Sequence, residues 1–311
     1  MRLDESTVLV TGGAGFVGSH LTERLADRGT ELVVVDDLFA GRREYVPDDA
    51  TFFEQDVRSD AFAETVRETD PDGIVHLAAI HHIPYCNANP EAAFEVNTMG
   101  TRNLLAAAED LDDLEQVVFA STAAVYEPED GPHRETDEPG PIDIYGRTKL
   151  VGEDLVEQFT TNTGVPAASA RLFNVYGTNE TNEHLIPAIL DQLRDGSHAV
   201  ELGNLSPARD FVHVTDVADA LVALLTEFDA DYRAYNVGTG TEHTVREVVE
   251  HTEAALGEPI EISQAEERVR ESDRPHLCPS TERIEREIGW TPDVEFTDGL
   301  RELLEAEGIR T

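Results

Sequence analysis

The chain has 311 residues, 40% of them hydrophobic, which is enough to bury the core of a globular protein with two lobes. Its 64 acidic residues outnumber 23 basic residues and give a formal net charge of −41. A field of that sign repels nucleic acid and anionic membrane surfaces, so neither is expected as a partner. No apolar run reaches the roughly 18 residues of a membrane span, and the N-terminal residues lack a signal-peptide core. We expect a cytoplasmic protein.

The acidic residues are dispersed through every segment instead of forming a tail, which argues against a disordered acidic region. A dispersed acidic surface with almost no lysine is typical of a protein in a high-salt cytoplasm. Salt there screens the self-repulsion, because the Debye length is about 3 Å at 1 M. We therefore expect low salt to destabilise the fold. The two cysteines, Cys86 and Cys278, are predicted to be free thiols, and no Cys/His spacing predicts a metal site.

The first 36 residues have the pattern of a dinucleotide-binding unit. Residues 7–11 predict a buried strand, the glycine-rich segment 12–18 follows, and a helix is predicted over 19–28 before Gly29. A second strand, 31–36, ends on an acid 18 residues after the last glycine of the turn. Glycines let the backbone approach a pyrophosphate at the helix N-terminus, and the acid can hold the ribose hydroxyls.

The acid at the end of the second strand also selects between cofactors. Asp36 would repel a 2′-phosphate, so the sequence favours NAD over NADP. Arg42 and Arg43 lie near enough in sequence to raise the opposite possibility, but they are more simply solvated loop residues. Asp56, at the end of the third predicted strand, could accept a hydrogen bond from the adenine amino group.

Further strands and helices alternate along the chain. The third to sixth strands are predicted over 52–57, 73–79, 116–122 and 167–173. Alternation of this kind predicts an α/β fold with a doubly wound parallel sheet whose ligands bind at its carboxyl edge. From about residue 175 the elements shorten, which predicts a second lobe. There a strand over 209–214 leads into a helix, and 235–240 is predicted to be a loop.

Tyr145 and Lys149 are four residues apart, which places them one above the other on a helix. An ammonium beside a phenol favours the phenolate and lowers its pKa, giving a base that can take a proton from an alcohol. Lys149 is the only lysine in the chain, although tyrosine and lysine also fall at this spacing by chance in ordinary surface helices.

These residues resemble the extended short-chain dehydrogenase/reductase family, and in particular its NAD-dependent nucleotide-sugar epimerase/dehydratase branch, the group of enzymes like UDP-glucose 4-epimerase. The matching motifs span nearly the whole chain and are TGGAGFVGSH (11–20), DDL (36–38), HLAA (76–79), Asn97 with Gly100 and Thr101, STAAVY (121–126), YGRTK (145–149), RLFNVYG (171–177), RDFVHV (209–214) and NVGTG (236–240).

The resemblance implies a Rossmann domain over 1–174 and about 210–235, and a nucleotide-sugar lobe over 175–209 and 236–311. It also implies a homodimer through helices near 91–109 and 144–162. The residues it assigns to NAD are Gly12, Gly15, Phe16, Val17, Gly18, Asp36, Asp37, Leu38, Asp56, Val57, Leu77, Ala78, Ala79, Asn97, Ser121, Tyr145, Lys149 and Phe173. The residues it assigns to the nucleotide sugar are Thr122, Asn174, His184, Leu185, Arg209, Arg270 and Asp273.

By the same resemblance, Thr122 positions the sugar alcohol, Tyr145 is the base, and Lys149 tunes the phenol and holds the nicotinamide ribose. Related dehydratases carry an acid pair directly after the threonine, whereas this chain has Ala123 and Ala124, which cannot transfer a proton. We therefore expect an NAD-dependent 4-epimerase of the UDP-glucose/UDP-galactose type that acts through a transient 4-keto sugar.

Several alternatives stay open. His81 and His82 follow the HLAA motif and could be additional acid/base groups, which keeps a 4,6-dehydratase or other 4-keto-sugar chemistry as a second hypothesis. Leu277 stands where some epimerases have a bulky tyrosine, so the chain could also accept N-acetylated or uronic sugars. An NADPH-dependent reductase is disfavoured by Asp36. A non-enzymatic NAD sensor is disfavoured because the threonine, tyrosine and lysine are all present.

Overall fold

The computed structural model describes residues 1–129, 131–182, 184–194, 196–265 and 275–309. Its strands are β1 (Thr7–Thr11), β2 (Glu31–Asp36), β3 (Thr51–Glu54), β4 (Gly73–His76), β5 (Gln116–Thr122), β6 (Ala167–Leu172), β7 (Asn174–Tyr176), β8 (Ala199–Leu202), β9 (Ala208–His213), β10 (Tyr232–Val237), β11 (Glu242–Thr244) and β12 (Glu261–Gln264).

Its α-helices are α1 (Phe16–Ala26), α2 (Asp60–Thr69), α3 (Ile83–Ala88), α4 (Pro90–Phe94), α5 (Thr101–Ala108), α6 (Ile144–Thr163), α7 (Leu185–Leu193), α8 (Val214–Thr226), α9 (Val245–Leu256), α10 (Glu282–Ile288) and α11 (Phe296–Ala306). A π-helix, Glu95–Gly100, joins α4 to α5, and short 3₁₀ turns cover Leu3–Glu5, Arg43–Tyr45 and Ala123–Val125. Within the described ranges, no helix is long and apolar enough to cross a bilayer.

Among the described residues, seven parallel strands form the main sheet in the order β10-β6-β5-β4-β1-β2-β3. The chain runs outward from β1 through β2 to β3 and then returns to β4 on the other side of β1. Loops that leave β1 and β4 therefore diverge, and a crevice opens between them at the carboxyl edge of the sheet. The predicted doubly wound α/β fold is confirmed.

Both faces of the main sheet are covered by helices, as the continuous apolar runs of its strands require. In β1, Val8 and Val10 pack in one hydrophobic cluster with α1 and α8, while Leu9 packs in another with α2, α5 and α6. A separate cluster joins α7, α9 and α11 through side chains such as Ile189 and Val248. The domain limits given above stay a prediction.

The observed elements differ from the predicted ones at several places. Strand β3 ends at Glu54 instead of residue 57. Helix α1 begins at Phe16, with Gly15 as its N-cap, instead of at residue 19. The prediction started too late because Gly18, a poor helix former, lies in the first turn of the helix. Strand β4 ends at His76, and the apolar residues after it form cleft wall. Residues 235–237, predicted as loop, end strand β10. The apolar pattern of this strand is interrupted by the polar Asn236, so the sequence did not indicate a strand there. Asn236 is fully buried and accepts a hydrogen bond from the Tyr126 hydroxyl.

A buried ion pair connects the main sheet to α6. The Arg171 guanidinium on β6 donates to both carboxylate oxygens of Glu153, at 2.9 and 2.7 Å, and both side chains are about 5% exposed. Ser121 at the end of β5 donates to the same carboxylate at 2.5 Å, and Arg171 also donates to Tyr126 at 2.9 Å. This network fixes α6 against the strands that end at the cleft.

We predict that Arg171→Met lowers the free energy of unfolding by about 3 kcal/mol, because it leaves the Glu153 carboxylate buried without its partner. Urea unfolding in molar KCl measures the change. The matched control is Arg67→Met, whose partner Asp110 is exposed, as Arg67 is; it should lie within about 0.5 kcal/mol of wild type. Equal losses in the two variants would contradict the network's structural role.

Candidate active site

The crevice at the carboxyl edge of the sheet is a cleft of ≈ 1280 Å³. Ligand pockets are usually roughly 300–1,000 Å³, so this cleft has room for two ligands side by side. The predicted site residues that line it are Gly12, Gly15, Phe16, Val17, Gly18, Asp36, Asp37, Val57, Leu77, Ala78, Ala79, Ser121, Thr122, Tyr145, Lys149, Phe173, Asn174, His184, Leu185 and Arg209.

Other predicted residues have a different place. Leu38 and Asp56 stand beside the cleft without lining it, and the Asp56 carboxylate is held at 2.5 Å by the Arg58 guanidinium. Asn97 is buried, where its amide bonds to both the backbone N–H and the C=O of Ile80, at 2.7 and 2.9 Å. Arg270 and Asp273 lie outside the described residues.

The glycine-rich turn lies against the loop after β4. Gly12 has φ +71°, and a Cβ there would stand 2.7 Å from the backbone nitrogen of Ala78. A Cβ on Gly18 would stand 2.1 Å from the Gly12 carbonyl oxygen, so α1 packs on the turn only because both residues are glycine. The first turn of α1 has no side-chain cap, and its N–H groups can bind a pyrophosphate at the cleft.

Two polar side chains near this turn suit the adenosine ribose and base of a dinucleotide. The Asp36 carboxylate accepts the backbone N–H groups of Ala14 and Leu38, at 3.0 and 2.8 Å, and it lies at the end of β2. Burial raises its pKa. Gln55 lines the cleft, and its side-chain oxygen is buried without a hydrogen-bond partner in the structure. A buried unpaired acceptor is costly, and a ligand donor would satisfy it.

Tyr145 is placed by the start of α6. Asp143 caps the helix by accepting the Gly146 N–H at 2.7 Å. A Cβ on Gly146 would stand 2.3 Å from the Ala124 carbonyl oxygen, so the missing side chain lets the first turn pack on the segment after β5. That contact brings Tyr145 into hydrogen-bonding contact with Thr122.

The pKa of Tyr145 is shifted in the direction opposite to the expected one. We expected the Lys149 ammonium to be the main influence on the phenol, but burial has the larger effect and raises the pKa of Tyr145. The hydrogen bond with Thr122 acts in the opposite direction and lowers that pKa. Burial lowers the pKa of Lys149 to about 7, and its ammonium lies 4.7 Å from the centre of the Phe119 ring.

Three histidines gather at the cleft. The His81 ring is 6.4 Å from that of His184, and the His82 ring is 6.5 Å from it. His81 Nε2 lies 2.6 Å from the Asn182 amide nitrogen, so it accepts a hydrogen bond, and burial lowers the pKa of His81 to about 4. His81 is therefore neutral near pH 7. His184 Nδ1 lies 2.6 Å from the buried Glu180 carboxylate.

Alternation along β9 explains the RDFVHV motif. Arg209 lines the cleft, while Asp210 is fully buried and accepts the N–H groups of Thr239 and Thr241 at about 3 Å. Asp210 thus holds the NVGTG loop. The Asn174 amide donates to the Asp210 carbonyl oxygen at 2.9 Å, which fixes it at the cleft.

Sequence reasoning missed several residues of the cleft or its support, namely Gln55, Glu180, Glu153 and Arg171. Glu153 stands four residues after Lys149 and eight after Tyr145, so helical spacing could have placed it on the same face. Glu180 stands four residues before His184, near enough in sequence to suggest the pair that it forms. Gln55 and Arg171 have no local pattern, because distant segments bring them to the site.

The strand–glycine-turn–helix unit, the acid at the end of β2 and the Thr122, Tyr145 and Lys149 group define a dinucleotide-dependent enzyme of the Rossmann class. Residues 8–238 match the model of the NAD dependent epimerase/dehydratase family. The chain belongs to this family, and its cofactor is NAD.

Among similar proteins, a UDP-glucose 4-epimerase of Corynebacterium glutamicum is 34% identical, with 96% of this chain and 93% of the relative covered. That of Lacticaseibacillus casei is 31% identical, with 95% of each chain covered. The solved UDP-glucose 4-epimerase of Thermus thermophilus in complex with NAD is 33% identical at a TM-score of 0.87, covering 97% of this chain and 99% of that one. The solved UDP-glucose 4-epimerase of Stenotrophomonas maltophila, with bound NAD and formylated UDP-arabinopyranose, is 29% identical at a TM-score of 0.90, covering 98% of each chain.

We predict that the Lys149 amine titrates near pH 7 in the protein before NAD is added, far below the ordinary 10.5, because burial disfavours its charge. Lysine labelled with ¹³C at Cε gives one lysine signal in the whole molecule, and its shift followed against pH gives the pKa directly. A midpoint above about 10 would contradict the buried placement.

The same shift has a consequence for stability. Between about pH 7 and 10.5 the unfolded chain keeps the lysine proton that the folded protein has released, so the contribution of Lys149 to the free energy of unfolding rises with pH. Relative to wild type, Lys149→Met should therefore be most stable at pH 6, and its advantage should shrink toward pH 10.

Proposed function

We propose that the protein is an NAD-dependent nucleotide-sugar 4-epimerase of the UDP-glucose/UDP-galactose type. The observation that carries the proposal is the contact between Thr122 and Tyr145 at the cleft, followed directly by Ala123 and Ala124. This arrangement has one proton-transfer group for one alcohol, and the two residues that directly follow Thr122 carry no acid or base. Inversion at C4 through a 4-keto sugar requires no more than that from the protein.

When bound at the glycine-rich turn, beside Asp36 and Gln55, NAD would supply the hydride acceptor and donor for C4 and a positive charge beside Tyr145. The Tyr145 phenolate takes the proton of the 4-hydroxyl, and the phenol so formed later gives that proton back to the ketone oxygen. Thr122 positions that hydroxyl and lowers the pKa of the phenol through its hydrogen bond. The sugar inverts by presenting its other face while the diphosphate stays bound.

The dehydratase alternative requires a base at C5 and an acid at C6. Ala123 and Ala124 cannot supply either group. His81 is a poor source of the acid at C6, because its Nε2 accepts a hydrogen bond from Asn182 and its lowered pKa of about 4 leaves the ring neutral near pH 7. The site therefore favours epimerisation over loss of water.

For the nucleotide sugar, we propose that Asn174, His184 and Arg209 contact the diphosphate. All three line the cleft, and guanidinium groups suit a doubly charged pyrophosphate. Similar solved enzymes carry UDP sugars, including UDP-glucose in that of Thermotoga maritima. Leu277 lines the cleft at a position where some epimerases have a bulky tyrosine. The smaller leucine would leave space for an N-acetyl group, so UDP-GlcNAc is a second proposed substrate.

We also propose that the protein forms a homodimer through α4, the π-helix and α6. Three large hydrophobic side chains lie exposed on this face, Phe94 at 40%, Met99 at 50% and Val151 at 37%. Apolar side chains grouped on adjacent helices are a common feature of subunit interfaces.

The functional prediction is inversion at C4 without added NAD when the protein, purified in molar KCl, is incubated with UDP-, dTDP- and GDP-sugars and the products are read by NMR. Tyr145→Phe should lower turnover by about 10²–10⁴-fold while its NAD content stays at the wild-type level. Tyr45→Phe, a tyrosine outside the cleft, is the matched control and should keep full activity. Loss of water from the sugar, or a fully active Tyr145→Phe, would refute the proposal.

For the dimer, Met99→Glu is expected to convert the protein to a monomer, because the charge would be buried without a partner at the interface. Light scattering after size-exclusion chromatography measures the mass. Ile142→Glu, a change of equal charge at a side chain outside this face, should stay dimeric. A monomeric wild-type protein would contradict the interface.

A further inference from the structure

The exposed large hydrophobic side chains of the described residues fall into two sets. One set lies on the proposed dimer face. The other set lines the cleft and consists of Phe39, Ile83, Tyr85 and Ile142. Phe39 is 65% exposed, more than any other large hydrophobic side chain in the described ranges, so its position at the cleft requires an explanation.

Phe39 and Tyr85 contact each other across the cleft. Phe39 lies on the loop after β2, and Tyr85 lies in α3, which follows β4. Their ring centres are 5.9 Å apart and their planes meet at 65°, the edge-to-face geometry that aromatic pairs prefer. In the sheet, β2 and β4 flank β1 on its two sides, and the glycine-rich turn follows β1. The pair therefore spans the cleft over that turn.

Local hydrogen bonds hold the loop of Phe39 in place. The Asp36 carboxylate accepts the Leu38 N–H, and the Asp37 carboxylate accepts the Phe39 N–H at 3.0 Å. Leu38 takes the left-handed φ of +57°, uncommon outside glycine, which redirects the chain just before Phe39. The Arg42 N–H then donates to the Ala14 carbonyl oxygen at 2.9 Å, which ties the loop to the glycine-rich turn.

The helix of Tyr85 is held on the other side. The Cys86 thiol donates to the Ile80 carbonyl oxygen at 3.3 Å, and Asn97 fixes Ile80 from below. The Asn89 amide donates to the Tyr85 carbonyl oxygen at 3.0 Å. Both rings thus stand on backbone that is anchored to the cofactor end of the cleft.

We propose that Phe39 and Tyr85 form an aromatic clasp that closes over the dinucleotide at the glycine-rich turn and retains NAD between turnovers. The proposal rests on the proposed function, in which the cofactor leaves each reaction cycle unchanged and does not need to be released. An apolar clasp also suits high salt, which screens ionic contacts to the pyrophosphate but does not weaken apolar ones.

The test is the rate at which bound NAD leaves the protein, measured without any sugar. Protein loaded with isotopically labelled NAD in molar KCl is mixed with excess unlabelled NAD, and the label that stays bound is followed over time. Phe39→Ala and Tyr85→Ala should each speed release by about tenfold. Tyr85→Phe, which keeps the ring, should release NAD at the wild-type rate.

The double variant separates a clasp from two independent contacts. Because each ring acts through the other, Phe39→Ala combined with Tyr85→Ala should release NAD little faster than either single variant. Tyr45→Ala, at a tyrosine outside both the cleft and the proposed dimer face, should leave release unchanged. The clasp would be overturned if both single variants released NAD at the wild-type rate. It would also be overturned if the increase in release rate in the double variant equalled the product of the two single increases. Since release is read without turnover, a failure of the epimerase assignment would be seen separately.

Discussion

The packing of α6 on the segment after β5 is the contact on which the active site depends. It is possible only because Gly146 has no side chain where the Ala124 carbonyl oxygen approaches. The contact places Tyr145 within hydrogen-bonding distance of Thr122. The helical repeat then places Lys149 and Glu153 further along the same buried face of α6. Glu153 is bound to Arg171 and Ser121, so the face that carries the base is also the one that fixes the helix to the sheet.

Burial sets the chemistry of this face more strongly than the pairing of charges does. It raises the pKa of Tyr145 and lowers that of Lys149, so each group is driven toward its neutral form. The hydrogen bond from Thr122 and the charge brought by the cofactor oppose this for the phenol. In the proposed mechanism, activation of Tyr145 is therefore coupled to binding of NAD, which keeps the protein from carrying a permanently charged phenolate in its interior.

Sequence reasoning found the fold because its markers are local. The glycine-rich turn, the acid at the end of β2 and the tyrosine and lysine of α6 each belong to one short segment with a fixed spacing. It missed Gln55 and Arg171 because their roles arise from residues far away in sequence. It also predicted a lowered pKa for Tyr145, whereas burial raises that pKa, since the depth of burial cannot be read from the spacing of residues. Asn236 shows a further limit: a polar residue in the interior hid the last strand of the sheet.

The placement of the one lysine has a practical consequence for handling the molecule. Reagents that acylate or cross-link primary amines find no lysine on the outer surface, because Lys149 is 2% exposed and lines the cleft. Amine-directed fixation would therefore find no exposed lysine to react with, and immobilisation or tethering is better directed to the abundant carboxylates.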